Sequence, residues 1–239
     1  MDTYRAVVIG ATGTVGSALV RDLLAAPRCE EVTALTRRPV QIFDGLAGQD
    51  KLRQRVIDMG DPGSLERDTA EAARGAEVAF CTMGVGQPRK VTREEVWKVD
   101  VELAAAFARG VRTAGARHIS LLSSVAADAD SRSFYLRLKG AAEQGAAAAG
   151  IPRTSIFRPS FLLTQQFRYG LLDRVTHIFF PRISWLVPSR YHEIRVEDLG
   201  RAMRLNAEQP GKEGIEILHY PEFVALLRER GSARVAAAP

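Results

Sequence analysis

The chain has 239 residues, 46% hydrophobic and 26% charged, which suits one large domain or a domain with a small lobe. These proportions exclude intrinsic disorder and collagen-like repeats, and two cysteines, Cys29 and Cys81, cannot form a disulfide framework and fit a reducing compartment. The net charge of +5 is thinly spread, and its densest clusters, Arg37-Arg38 and Arg89-Lys90, are dipeptides and not the longer runs that bind nucleic acid. The opening MDTYRAVVIG does not read as a secretory signal, and no apolar stretch reaches the ~18 residues of a membrane span. The expectation is a cytoplasmic protein with no nucleic-acid or membrane partner.

Strand-length apolar runs alternate with amphipathic helical segments through the first two-thirds of the chain. Tyr4–Ile9 reads as a buried strand, Gly13–Ala26 as a helix stopped by Pro27, Glu31–Thr36 as a second strand and Arg55–Ile57 as a third. A short helix over Gly63–Ala73 precedes a strand at Glu77–Thr82. A long helix is expected over Thr92–Ala114, with Val96, Val99, Leu103, Phe107 and Val111 on one face and Gly115 closing it. His118–Leu122 is the fifth strand, Ser131–Ala149 a helix ended by Gly150, and Arg153–Phe157 the sixth strand. Regularity fails over residues 160–193, after which Val196–Leu205 reads as helix, Glu213–Leu218 as strand and Glu222–Arg230 as a terminal helix with a frayed tail. The alternation predicts an α/β fold, a doubly wound parallel sheet of Rossmann type. Residues 1–160 would form the nucleotide-binding part, and 161–239 a small substrate lobe capping the sheet's carboxyl edge within one compact unit.

The sharpest local signal is Gly10-Ala-Thr-Gly13-Thr-Val-Gly16, set between the first strand and first helix. Gly10 permits a tight turn, Gly13 a close approach of backbone to a pyrophosphate, and Gly16 close packing of helix on strand. The helix start supplies unpaired N–H groups and positive partial charge for phosphate. The spacing G-x-x-G-x-x-G resembles that of extended and atypical short-chain dehydrogenases. Where NAD-binding chains carry an acid after the second strand, this one has Thr36-Arg37-Arg38, whose guanidiniums would pair with a 2′-phosphate. NADP(H) is therefore the expected cofactor.

A second signal is Tyr135-Leu-Arg-Leu-Lys139, which puts a phenol and an amine one turn apart on a helix. A free phenol, with a pKa of ~10, is a poor acid or base at neutral pH, and a neighbouring ammonium favours its ionised form. The lysine could also hold the cofactor's ribose. The preceding strand ends in Leu121-Leu-Ser-Ser-Val, which brings Ser123 and Ser124 to the sheet's carboxyl edge.

Taken together, Glu77–Gly84, Val99-Asp100, His118–Ser124, Phe134–Gly140 and Ser155–Pro159 resemble the atypical short-chain dehydrogenases of the Tat-interacting oxidoreductase-like family. That family binds NADPH. The resemblance implies that Thr12, Gly13, Thr14 and Val15 hold the pyrophosphate and that Arg37 and Arg38 hold the 2′-phosphate. It puts Asp58, with Met59 beside it, at the adenine amino group. Met83 and Gly84 would line the nicotinamide side, with Tyr135, Lys139 and Leu162 completing the site. Arg158-Pro159 would turn the sixth strand's end under the nicotinamide. It also favours Ser124 over Ser123 as the hydroxyl that orients a substrate carbonyl. Many extended members carry Asn where this chain has Asp100, a departure that touches the proton relay.

Other candidates are weaker. His118, His177, His192 and His219 lack metal-ligand spacing, so no metal is expected. Cys81 lies in an apolar strand and reads as core. Glu197-Asp198 suits a helix start. Gln165–Arg168 and Phe179–Trp185 match no motif, and the aromatics of Ile178–Val187 read as a lid or packed cap before a membrane or partner patch. The expected function is NADPH-dependent reduction of a small carbonyl compound by a monomer or homodimer. The alternatives are a catalytically silent NADPH-binding regulator and an NAD-retaining nucleotide-sugar epimerase or dehydratase.

Overall fold

The computed structural model describes residues 3–85, 90–163 and 189–236, with side chains to residue 228. Six strands follow one another into a parallel sheet: β1 (Tyr4–Ile9), β2 (Cys29–Thr36), β3 (Leu52–Val56), β4 (Val78–Cys81), β5 (His118–Leu122) and β6 (Arg153–Phe157). Helix α1 (Thr14–Ala25) joins the first pair and α2 (Pro62–Ala72) leads from β3 to β4. Between β4 and β5 come α3 (Arg93–Trp97), a π-helical turn at Lys98–Leu103, and α4 (Ala104–Thr113). Helix α5 (Phe134–Ala148) joins β5 to β6. The chain continues through β7 (Leu162–Leu163), β8 (Ile194–Arg195), α6 (Val196–Glu208), β9 (Gly214–Leu218) and α7 (Tyr220–Ala236).

The seven-stranded order is β3-β2-β1-β4-β5-β6-β9, all parallel, while β7 and β8 form a separate small pair. Alternate side chains of β1 serve opposite faces. Ala6 and Val8 join the core under α1 and α6, whereas Val7 and Ile9 join the core under α2 and α4. Both faces are thus covered, which is why the strands read as continuous apolar runs.

Several boundaries differ from the expected ones for identifiable reasons. Strand β3 begins at Leu52, not Arg55, because it is a polar edge strand recognisable by its pairing with Val32–Thr36 and not by apolarity. The helix expected over Thr92–Ala114 is interrupted at Lys98–Leu103, where the π turn takes in an extra residue. Helix α5 starts at Phe134 and not Ser131. The terminal helix runs from Tyr220 to Ala236, through residues expected to fray. Helix α6 packs on α1, and β9 extends the main sheet from β6. These elements, read as part of a C-terminal cap, therefore belong to the sandwich itself, because β6 still has a free edge for them to complete. Gln165–Arg168, Ile178–Val187 and Arg89 lie outside the described residues.

From the start of β5 to the middles of β6 and β9 a partly buried polar chain ties three strands. Ser155 Oγ donates to Glu216 Oε1 at 2.5 Å, so His118 Nε2 donates its proton to Ser155 across 2.7 Å. That fixes the tautomer and leaves His118 Nδ1 buried with no partner. Burial, and then the charge of Arg153, lower the His118 pKa from 6.5 to about 3. Burial acts to raise the Glu216 carboxyl, but hydrogen bonds from Ser155 and Asn206 and the charge of Arg153 outweigh it and hold the group below its usual range.

Both groups work in the same direction with pH. The unfolded chain binds a proton at His118 below 6.5 that the fold does not accept until about 3, so stability is complete above 6.5 and lost as pH falls toward 3. Denaturant titrations should show a loss on the order of 4 kcal/mol from His118 across that window. His118→Gln, which keeps a donor for Ser155, should flatten the upper part of the slope, and an unchanged slope would clear His118 of the effect.

Candidate active site

Because the strands are parallel, their carboxyl ends share one edge, and the expected site residues fall there in spatial order. Asp58 follows β3, Arg37 follows β2, Gly10 follows β1, Met83 follows β4, Ser123 and Ser124 follow β5, and Pro159 follows β6. The chain winds one way from β1 to β3 and the other way from β4 onward, so β1 and β4 flank the crevice where open α/β sheets bind ligands.

The glycine turn sits in that crevice. Gly10 has φ +78°, and a Cβ on it would meet the Thr82 and Met83 backbone at 2.5–2.6 Å. A Cβ at Gly16 would lie 2.2 Å from Gly10 O and 2.6 Å from Thr82 Oγ1. The Thr82 hydroxyl donates to Ile9 O at 3.0 Å and locks β1 to the end of β4. Gly13 is the residue before α1 and offers no side-chain cap, and the first turn carries no acid, so the helix's leading N–H groups lack a side-chain acceptor. Thr12 is exposed, Thr14 half-buried and Val15 buried.

Across the crevice, Tyr135 is 52% exposed on the first turn of α5. The Lys139 ammonium lies 6.0 Å from the centre of its ring. Lys139 Nζ also donates to Asp100 Oδ1 at 2.8 Å, and Asp100 Oδ2 accepts from the Val85 amide at 2.9 Å. Burial draws the ammonium's pKa down, but the charge of Asp100, the neighbouring Tyr135 and the hydrogen bond to Asp100 more than offset it, leaving Lys139 above its ordinary value. Gly84, after β4, leaves the room Asp100 needs, since a Cβ there would lie 3.2 Å from its Oδ1. Met83 packs against the core beneath. Burial pushes the Cys81 thiol up to about 11, which fits a core residue and not a nucleophile.

A third cluster lies further along the same helical stripe. Glu143 accepts two bonds from Arg158, at 2.9 and 2.6 Å, and one from the Ser123 hydroxyl. Ser123 is therefore committed to structure, whereas Ser124 makes no side-chain hydrogen bond among the described residues. The loop after β5 lies directly on α5, because Gly140 carries no Cβ; one there would fall 2.1 Å from Ala129 N. Ser123 N and Val125 N donate to Phe157 O and Pro159 O at 2.8 and 2.9 Å, carrying the β5–β6 pairing beyond both strands. Sequence reasoning did not single out Glu143. Its position, four residues after Lys139 and eight after Tyr135, was the available signal.

Arg37 and Arg38 are exposed and make no hydrogen bond or ion pair among the described residues. Asp58 is exposed, but its Oδ1 accepts from Gly60 N at 2.8 Å, a local tie that the sequence did not reveal. Met59 is half-buried. Leu162 is in β7, paired with Ile194 in the small two-stranded sheet. The guanidinium of Arg158, expected at the turn under the nicotinamide, points into the Glu143 pair.

The bare α1 terminus, the left-handed Gly10 and two unpaired arginines after β2 form a donor set suited to a dinucleotide's phosphates. Fold and site together define a Rossmann-type dinucleotide-binding protein. The chain belongs to the NAD(P)H-binding family, whose profile matches residues 10–171. It is 29% identical over 230 residues to Protein HTATIP2 of Rattus norvegicus, covering 95% of this chain and 90% of that one. It is 32% identical over 165 residues to Protein FMP52, mitochondrial, of Debaryomyces hansenii, covering 66% of each. Among solved structures, the oxidoreductase ylbE from Lactococcus lactis superposes with a TM-score of 0.66 at 16% identity, covering 94% of this chain and 97% of that one, which shows the shared fold.

Removing Glu143 would leave the largely buried Arg158 unpaired and release Ser123. Glu143→Ala should lower unfolding free energy by about 3 kcal/mol in denaturant titration. Gly16→Ala should cost about 2 kcal/mol, since Gly10 O and Thr82 must both give way.

Proposed function

We propose that the protein is an NADPH-dependent reductase of a small carbonyl substrate. The observation that carries this reading is the half-exposed Tyr135 phenol at the carboxyl edge, with the Lys139 ammonium 6.0 Å from its ring. Gly10, Thr12, Gly13, Thr14, Val15 and Gly16 would hold the pyrophosphate against the α1 terminus. Arg37 and Arg38 would hold the 2′-phosphate as charge-assisted donors, and they are the ground for preferring NADP(H) to NAD(H). Asp58 and Met59 would border the adenine. Met83, Gly84, Pro159 and Leu162 would border the nicotinamide end. The chemistry drawn from the bound cofactor is a hydride delivered to the carbonyl carbon. Tyr135 gives its proton to the carbonyl oxygen and recovers one from water. Ser124, with its hydroxyl uncommitted, donates to the same oxygen and orients it.

Among the described residues no helix is long and apolar enough to cross a membrane. Two free buried thiols, Cys29 and Cys81, favour a reducing compartment, and we assign the protein to the cytoplasm. A fluorescent fusion found in another compartment would overturn that assignment.

Tyr135→Phe should leave NADPH affinity nearly unchanged, as read by cofactor fluorescence, while carbonyl-dependent NADPH oxidation falls about 10²- to 10⁴-fold. Equal turnover in that variant would remove Tyr135 from the mechanism. Replacing Arg37 and Arg38 together by alanine should weaken NADPH binding about 10- to 100-fold and spare NADH. Tight NADPH binding with no oxidation across a broad panel of aldehydes and ketones would favour the regulator in place of the enzyme.

A further inference from the structure

The phenol and amine have a charged third neighbour. Both oxygens of Asp100 are engaged, one by the Lys139 ammonium and one by the Val85 amide. The two paired side chains are only 5% and 12% exposed, so water does little to screen them. An uncompensated ammonium beside a phenol favours phenolate, whereas one neutralised at hydrogen-bond distance by a carboxylate favours it far less.

Among the described residues no other charge nearby undoes that balance. Around Lys139 the interacting groups are Asp100, Tyr135 and Cys81, and burial keeps the Cys81 thiol protonated. On the π turn itself Lys98 and Glu102 are exposed. On α3, Arg93 stacks over Phe134 and Glu95 closes the helix cap with Thr92. On α5, Arg137 donates to Ser131 O and Glu143 is held by Arg158. On α4, Arg109 pairs with Glu66 of α2.

We propose that Asp100 is a positioning residue that cancels the charge of Lys139 at the phenol, and so sets this site to give a proton to a carbonyl in preference to taking one from an alcohol. The direction of reaction rests on the reductase reading above; the charge balance belongs to the free protein. In the favoured direction hydride adds to the carbonyl carbon, the C=O π pair takes the Tyr135 proton, and NADPH is oxidised to NADP⁺. In the reverse direction the phenol must already be ionised before it can accept the alcohol's proton. An ammonium neutralised by Asp100 withholds that ionisation.

Asp100→Asn tests this, since asparagine removes the charge and keeps an acceptor for the Val85 amide, while its NH2 replaces the oxygen that faces Lys139. Phenolate absorbance is titrated in the cofactor-free protein and in Asp100→Asn, each with Tyr135→Phe added to subtract the other tyrosines. The Tyr135 ionisation should fall by about one pH unit in Asp100→Asn. The high-pH limb of kcat/KM for carbonyl reduction should move down by the same amount, and alcohol oxidation at neutral pH should gain about tenfold. Identical phenol titrations, or a lower kcat with no movement of the limb, would overturn the proposal. A shifted titration in a protein that reduces no carbonyl would uphold the charge balance and sink only the reductase reading. Should Asp100→Asn not fold, Asp100→Ser makes the same charge change, with the same expected and overturning results.

Discussion

A single carbonyl oxygen governs the geometry of the dinucleotide crevice. Gly10 O sits where the Cβ of residue 16 would project, and Gly10 itself is held in the left-handed region against the Thr82–Met83 backbone. Strand β1, the turn, the start of α1 and the end of β4 are consequently pressed together, with only the Thr82 side chain reaching between them. That closeness aims the α1 terminus, unopposed by any acid in its first turn, at the crevice between β1 and β4. Everything else at the carboxyl edge takes its place relative to this contact. The Thr82 hydroxyl fixes β4, β4 leads into Gly84 and Val85, and Val85 reaches Asp100.

Buried ion pairs carry the arrangement outward. Lys139–Asp100 joins α5 to the π turn, Arg158–Glu143 joins the end of β6 to α5, and Arg204 links Asp22 of α1 to Glu208 within α6. Desolvation takes back much of what such pairs gain, so their contribution to net stability is modest. What they do enforce is alignment, because leaving one partner unpaired is costly. Three helices are thereby held at set rotations about their axes, which apolar contacts alone define less sharply. For α5 this matters most, since its rotation decides whether Tyr135 faces the crevice.

The fold was legible in the sequence because β1, β4, β5 and β6 are covered on both faces, which favours apolar side chains along most of their length. Strands β5 and β6 lie at their expected bounds. Strand β3 was misplaced because an edge strand can expose Arg53, Arg55 and Val56 without penalty. The G-x-x-G-x-x-G turn and the Tyr135–Lys139 spacing were readable because backbone clearance and helical period are local properties. Glu143, Asp100's grip on Lys139 and the division of labour between Ser123 and Ser124 depend on segments far apart in the chain. Local pattern carries no record of such meetings. The π turn was hidden as well, since its residues keep the apolar spacing of an ordinary helix.

That turn has a bearing on how the chain tolerates change in length. A π turn is an α-helix holding one residue more than its neighbours' hydrogen bonds require, and an α-helix advances about 100° per residue. Deleting any one position within Lys98–Leu103 would let α3 and α4 fuse into a regular helix, which α4's packing on α2 and α5 would keep in place. Residues flanking the turn would then keep their facing, because the wide turn had absorbed the extra residue, and only those inside it would rotate. A deletion just after Asp100 would carry its carboxylate away from Lys139 and Val85 without altering a single residue of the glycine turn or of α5. The crevice would still admit a dinucleotide, while its acid–base end would be wired differently. An insertion or loss of one codon there is thus a route by which relatives of this fold could part ways in chemistry yet keep the same nucleotide.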